Sequence, residues 1–425
     1  MLGNFLKEYR NSVFFKNVFH LMSGTFLAQL LLVLSTPILS RLFDPDDFGM
    51  LALFLSIQSI LVILGTCRLE IAIMLPKELR DAIKIVLFII LQSILLSLIL
   101  YIILIICGSY LISVFDLDKM ANVLFLLPIS MFLLSLNTAL KYLKNRKYRY
   151  KGIRNCTVVE GSTRAGFNIT LGFADFVNYG LIYGYLGSLC VSSIVWLRRE
   201  YKELFLELKN FKIKDVKYIS KKYRNIFTHV ATGALVNNIS CQAPIFLMTY
   251  FYSIDVVGQY SMAQRLVSLP IVFIMTAFAD SFRQRAADEF RENGNIRGVY
   301  LKNVKRLFFI GLLPFSGLMF FAPLIFKVFL GEEWEFSGIM VQVLTLMTFL
   351  NFVIMGLSGV VIQVVEFFKF ELYWQISFLL LSIGGFLIGH YIFEDVLYSL
   401  ALYSLGCIIM YLFSFVIAYK YSVKT

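Results

Sequence analysis

Long apolar runs recur along this chain, separated by short polar breaks. A helix needs roughly 20 apolar residues to cross the about 30 Å of hydrocarbon in a bilayer. Twelve segments meet that length: 18–40, 48–72, 84–109, 121–142, 155–174, 178–197, 226–250, 258–280, 307–330, 338–362, 372–392 and 397–419. The fifth is the least apolar, because Glu160 and Arg164 fall inside it. Composition excludes a water-facing alternative. Apolar residues make up 59% of the chain and charged residues 16%, too few polar groups to coat a soluble surface. The expected fold is an all-α integral membrane protein of about twelve transmembrane helices.

The net charge of +12 would suit a nucleic-acid binder, but its distribution does not. With the N-terminus placed inside and the segments alternating, 33 of the 39 basic residues fall in inner segments. The outer segments hold only Arg41, Lys119 and Lys327, and Arg68, Arg164 and Arg265 lie within spans. Such a bias marks cytoplasmic loops, puts both termini in the cytoplasm and excludes nucleic acid as a partner. The outer loops are short and acidic (Asp44, Asp46, Asp47; Glu332, Glu333, Glu335). At the start, Lys7, Arg10 and Lys16 precede an apolar run too long for a signal peptide, with no small-residue cleavage site after it. The run is expected to be the first span. The six cysteines are scattered, mostly within apolar runs, and the three histidines are dispersed. Neither pattern suits a metal site, and no cofactor is expected.

The expected domains are a six-helix bundle over 1–197, a basic cytoplasmic amphipathic linker over 198–225, and a second six-helix bundle over 226–425. The linker carries lysines, Glu200, Glu203, Glu207 and aromatics at helical spacing. It suits a helix lying on the membrane surface, in contact with anionic lipid, and it equally suits a solvated connection. The halves share a faint repeat. Gly24, Pro37 and Phe48-Gly49 in the first correspond to Gly233, Pro244 and Gly258-Gln259-Tyr260 in the second. Parallel repeats of this kind are common in transporters, where substrate binds between the halves.

Several stretches resemble the polysaccharide-transport family of flippases. They are Ser23–Gln29, Thr36–Gly49 and Arg68–Lys77 in the first half, and Gly258–Pro270 and Gly331–Trp334 in the second. The likeness runs in order over most of the chain, although each motif is loose. It implies the fold of the multidrug/oligosaccharidyl-lipid/polysaccharide exporter superfamily, in which two six-helix bundles form a V. It also implies the substrate: an undecaprenyl-pyrophosphate-linked oligosaccharide repeat unit carried from inner to outer leaflet for O-antigen, capsule or exopolysaccharide assembly. Alternating access of the bundles around a cationic cavity would move it. The branch that carries lipid-linked peptidoglycan precursors usually has fourteen spans, so twelve favours the polysaccharide branch. Arg68, Glu70 and Arg265 lie in the matched stretches and carry over as cavity candidates.

No phosphate-binding glycine loop, nucleophile elbow or metal signature appears, and a flippase requires none. It requires a wet cavity and a cation for the pyrophosphate. A charge at mid-bilayer costs at least about 2.5–3.5 kcal/mol, so such residues usually face a cavity or a partner. Six stand out: Arg68, Glu70, Glu160, Arg164, Arg265 and Asp280. The fork of donors on Arg164 matches phosphate oxygens, while Glu160, four residues earlier, could pair with it instead. Arg68 could capture an incoming headgroup or snorkel to inner phosphates. Near the cytoplasmic third of the second span and two residues apart, Arg68 and Glu70 cannot share a helix face. Arg265 suits the cavity or an outer gate, and Asp280 a helix-end pair with Arg283. The polar mid-span residues Gln29, Gln58, Asn168, Asn237, Asn238 and Gln242 could meet sugar hydroxyls or bond between helices, and Asn237, Asn238 and Gln242 cluster in the seventh segment.

With no ATP motif, energy must come from a cation gradient or from downhill assembly outside. Glu70, Glu160 and Asp280 are the candidates for H+ or Na+ coupling. The expected partners are the lipid-linked oligosaccharide, membrane lipids, and a polysaccharide polymerase with its chain-length regulator, in the bacterial cytoplasmic (inner) membrane. Two other classes are weighed. A cation-coupled drug exporter of the same superfamily would more naturally line its cavity with carboxylates. A membrane polysaccharide polymerase would need a long outer loop, which this chain lacks.

Overall fold

Backbone buried in hydrocarbon must satisfy its own hydrogen bonds, and this chain does so with helices. The computed structural model describes residues 13–114, 120–176, 178–365 and 367–423. Within them the β-type pairing recorded is one isolated bridge, Asn295 to Val423. Lys7, Arg10, Lys119 and Lys424 lie outside the described residues.

The first half contains α1 (Val13–Leu39), α2 (Pro45–Thr66), α3 (Leu79–Val114), α4 (Leu127–Arg146), α5 (Tyr150–Phe173) and α6 (Gly180–Leu197). Two short helices follow, α7 (Tyr201–Asn210) and α8 (Ile213–Lys222). The second half contains α9 (Ala231–Phe251), α10 (Ile254–Asn293), α11 (Arg297–Leu330), α12 (Glu335–Leu350), α13 (Gly356–Val364), α14 (Phe368–Phe393) and α15 (Val396–Tyr421). A π-helical turn at Asn351–Met355 joins α12 to α13.

Among the described residues, nine helical stretches are long and apolar enough to cross a bilayer. The other three expected segments are also helical, in α1, α5 and α10. The second segment is shorter than its hydropathy suggests. It stops at Thr66, because Cys67 and Arg68 take left-handed backbone (φ 46° and 58°). A 3-10 turn, Ile71–Met74, follows.

Two compact units emerge: residues 1–43 with 50–238, and residues 44–49 with 239–425. In the first, α1 lies along α5, α5 along α6, and α3 along α4. Small residues permit the α1–α5 approach. A Cβ on Gly161 would come within 2.7 Å of Ala28 Cβ, and one on Gly24 within 2.8 Å of Arg154 Cα. This is the small-residue packing that membrane helices use in place of a hydrophobic driving force. At one end, Leu69, Ile85, Leu140 and Trp196 form a core that also takes in Leu204 of α7 and Ile219 of α8. In the second unit, α14 packs on α15 and α11 on α12. Large apolar side chains remain exposed along α3 (Leu95, Leu98, Ile102, Ile105) and α11 (Leu313, Phe320, Leu324). Faces of that kind suit hydrocarbon, not water.

Candidate functional site

The polar groups inside the first unit fall into two kinds. Asn137 of α4 is closed on itself: its Nδ2 donates to Ser192 Oγ (3.0 Å), and Ser193 Oγ donates to its Oδ1 (2.8 Å). Every buried partner there is used, which is how a polar residue joins membrane helices. The cluster around Arg164 is open. Arg164 of α5 lays its guanidinium over the Tyr185 ring of α6, 4.6 Å from Cζ to the ring centre. The Tyr185 hydroxyl donates to Gln58 Oε1 of α2 at 2.6 Å. Three buried atoms have no partner among the described residues: Arg164 Nε, Gln58 Nε2 and Asn168 Oδ1. Asn168 lies one turn beyond Arg164 and presses on the Gly184 backbone of α6, where a Cβ would meet its Oδ1 at 2.0 Å. A buried donor without a partner costs about 1–3 kcal/mol, so this cluster has unused capacity for an oxygen-rich ligand.

Glu160 lies one turn before Arg164 on the same helix. The guanidinium meanwhile stacks on an aromatic face, an arrangement Arg favours for its planarity. Sequence reading singled out Arg164, Glu160, Gln58 and Asn168 but not Tyr185, the residue that links Arg164 to Gln58. An aromatic residue in an apolar run carries no distinguishing signal. The packing of α2, α5 and α6 brings Arg164, Asn168, Tyr185 and Gln58 together.

Arg68 and Glu70 depart from expectation. The chain is not helical there, so two residues of separation no longer put them on opposite faces. Arg68 Nη1 lies 3.5 Å from Glu70 Oε1. Glu70 is 2% exposed, and its Oε2 has no partner among the described residues. Gln92 of α3 holds the turn by donating to the carbonyls of Leu64 (3.3 Å) and Gly65 (3.4 Å) and to Cys67 Sγ (2.9 Å). Arg146 fixes the following segment through the carbonyls of Ile73 (3.0 Å) and Pro76. Neither Gln92 nor Arg146 was singled out from sequence.

Asn237, Asn238, Gln242, Arg265 and Asp280 lie on α9 and α10. Asn238 accepts a bond from Ser59 Oγ of α2 at 2.8 Å, within the first unit. Its neighbour Asn237 is exposed on α9. Gln242, on the same helix, belongs to the second unit. Arg265 is half-buried on α10. Asp280 also falls on α10, and its side chain, with the expected Arg283 pairing, lies outside the described residues.

In the second unit, the quoted motif residues meet one another. Gln259 Nε2 donates to the Glu333 carbonyl at 2.8 Å, and its Oε1 accepts from Ser337 N (3.0 Å) and Oγ (2.5 Å). Phe48 meets the buried Trp334 edge-on at 5.2 Å. These residues fasten helix ends together and leave the binding chemistry to others. No group of three His, Cys, Asp or Glu suited to a metal occurs among the described residues.

A family model described as polysaccharide biosynthesis protein matches residues 38–339. No curated protein matches the chain. Among solved structures, the lipid II flippase MurJ in an inward closed conformation superposes with a TM-score of 0.67 at 15% identity, covering 94% of this chain and 85% of that one. A multidrug resistance MATE family transporter of the MOP superfamily, inward-facing, gives 0.66 at 16% identity over 95% and 93%. A MOP superfamily transporter from Pyrococcus furiosus, described as having a binding pocket of reversed polarity, gives 0.59 at 16% over 96% and 94%. At these identities the likeness is one of fold.

Proposed function

The chain belongs to the polysaccharide biosynthesis protein family, and from that premise we propose that it is a flippase for lipid-linked oligosaccharides. It is a multi-pass membrane protein with the fold of MOP-superfamily transporters and a lipid flippase, not of an enzyme. Within that class, the reading is that it moves undecaprenyl-pyrophosphate-linked repeat units from the inner to the outer leaflet for O-antigen, capsule or exopolysaccharide. The reading places the protein in the bacterial cytoplasmic membrane.

The observation that carries this reading is Arg164. It is a permanent cation on a helix otherwise destined for lipid, with a buried Nε unused and a charge-neutral aromatic beneath it. A pyrophosphate offers the oxygens it lacks, and charge-assisted bonds to phosphate are the strong kind. Gln58 and Asn168 add a donor and an acceptor for sugar hydroxyls. Arg68 and Glu70 form the first contact for an incoming headgroup, and Arg265 a later one. Asn237, Asn238 and Gln242 line the polar path. Twelve crossings in two six-helix bundles joined by the 198–225 linker, with both termini inside, complete the proposal. Glu70, Glu160 and Asp280 are its coupling carboxylates.

The test is complementation of a bacterium that lacks its own repeat-unit flippase, scored by surface polysaccharide. Restoration by the wild type and loss in Arg164→Ala at equal expression supports the reading. Failure with every repeat-unit chemistry, from a well-inserted protein, transfers the weight to a small-molecule exporter.

A further inference from the structure

The segment 198–224 contains ten basic and four acidic residues. The structure sorts them by sign. All four acids turn inward to the first unit. Glu200, fully buried, accepts from Lys147 (2.5 Å) and Arg149 (2.7 Å). Glu203 takes Lys147 at 2.6 Å, Glu207 takes Arg80 at 2.8 Å, and Asp215 takes Lys84 at 2.9 Å. All ten basic residues, Arg198 through Arg224, are exposed. Docking of the linker therefore uses up its negative charge and leaves the outer surface purely cationic.

The same surface is apolar where it should not be in water. On α7, Leu204 and Glu207 point into the unit, while Tyr201, Phe205 (59% exposed) and Leu206 (62%) point away. Tyr201, Lys202, Phe205 and Leu206 together line a shallow depression. On α8, Ile213 is 77% exposed and Tyr218 56%. Aromatic and aliphatic side chains interleaved with lysines on one face match the boundary of an anionic leaflet, where rings enter the headgroup layer and ammonium groups meet phosphates.

We infer that α7 and α8 form an anionic-lipid-binding surface of the inner leaflet, held at fixed orientation by the ion pairs on their opposite face. Phe205, Leu206 and Tyr201 insert, and Lys202, Lys209, Lys212 and Lys214 bind headgroup phosphates. This goes beyond the transport reading and does not depend on the identity of the oligosaccharide. Charge complementarity selects the occupant. A protein partner would need an acidic face against ten cations and would leave the inserted rings in water whenever it departed.

The full-length chain in nanodiscs tests the inference by amide hydrogen exchange. Each basic residue near an anionic surface contributes about 1 kcal/mol, so residues 201–222 should exchange at least about tenfold slower in discs containing phosphatidylglycerol than in phosphatidylcholine alone. High salt should erase most of the difference. The combined variant Lys202→Gln, Lys209→Gln, Lys212→Gln, Lys214→Gln should abolish it. Peptides from α3 and α4 should exchange as in wild type, which shows that the unit is folded. Phe205→Ser should raise exchange in both discs. Equal exchange in the two discs overturns the inference. So does protection by free inorganic phosphate alone, or protection that appears only when soluble protein is added.

Discussion

Arg164 is the residue on which the transport reading rests, and it makes a specific demand. If its fork binds pyrophosphate, a lysine cannot replace it, because an ammonium offers a point charge with no planar face for Tyr185. Arg164→Ala should lower transport by about 10–100-fold, the value of a charge-assisted bond of about 1.5–3 kcal/mol. Arg164→Lys should recover only part of it, measured as surface polysaccharide at matched expression. Tyr185→Phe removes the bond to Gln58 while keeping the ring, and should cost less than either. The sequence made Arg164 visible because a cation stands out in an apolar run. Tyr185 stayed invisible because its role comes from three helices meeting. A second residue-scale effect concerns pH. Asp215, beyond the spans, accepts from Lys84 and from the Lys212 backbone N–H, and both hold its carboxyl below its ordinary value of 3.8. A depressed folded value contributes stability above that ordinary value and loses it as pH falls through the folded one. Hydrogen exchange in Ile213–Lys222, corrected for intrinsic rate, should therefore be flat through neutral and mildly acidic pH and quicken only below 3.8.

Helices meet where glycine allows, and two glycines of the second half, Gly258 and Gly233, differ in what surrounds them. In the second unit, a Cβ on Gly258 at the start of α10 would lie 1.8 Å from the Pro45 carbonyl oxygen. A Cβ on Gly233 would meet nothing within 4 Å. Gly258→Ala should destabilise by at least about 1–3 kcal/mol, since backbone rather than a movable side chain blocks the methyl. Gly233→Ala should be neutral or slightly stabilising, because alanine is the better helix former. Thermal unfolding of the purified variants separates the two. The sequence alone does not say which of the two another backbone approaches. The end of α2 shows the converse limit. The apolar residues Ile71–Leu75 continue the hydropathy past Thr66, so the pattern predicts a helix that runs on. Left-handed backbone at Cys67 and Arg68 breaks it, and neither residue type signals that. The linker, by contrast, was legible as amphipathic, and what sequence lacked was the sorting of its charges. Lys147→Ala tests that sorting. It removes one of two cations on a fully buried Glu200, and breaking a buried pair this way should cost about 3–5 kcal/mol.

At the scale of the whole molecule, the charge bias of the sequence predicts an orientation. Reporter fusions in the 198–224 segment should report the cytoplasm, and fusions near Asp46 or Glu333 the outer side. A reversed result at any one of them would break the twelve-crossing scheme. The family match supports a transport role, and the proposal puts the pyrophosphate at the open polar cluster. The central claim is that the chain carries a lipid-linked oligosaccharide across the bilayer. Its most direct test is reconstitution into vesicles with a fluorescent undecaprenyl-pyrophosphate sugar, followed by a membrane-impermeant quencher. The account predicts that wild-type protein brings the inner-leaflet pool within reach of the quencher and that Arg164→Ala protein does not. An inner pool that stays shielded with wild-type protein, as in empty vesicles and across several repeat-unit chemistries, would contradict it.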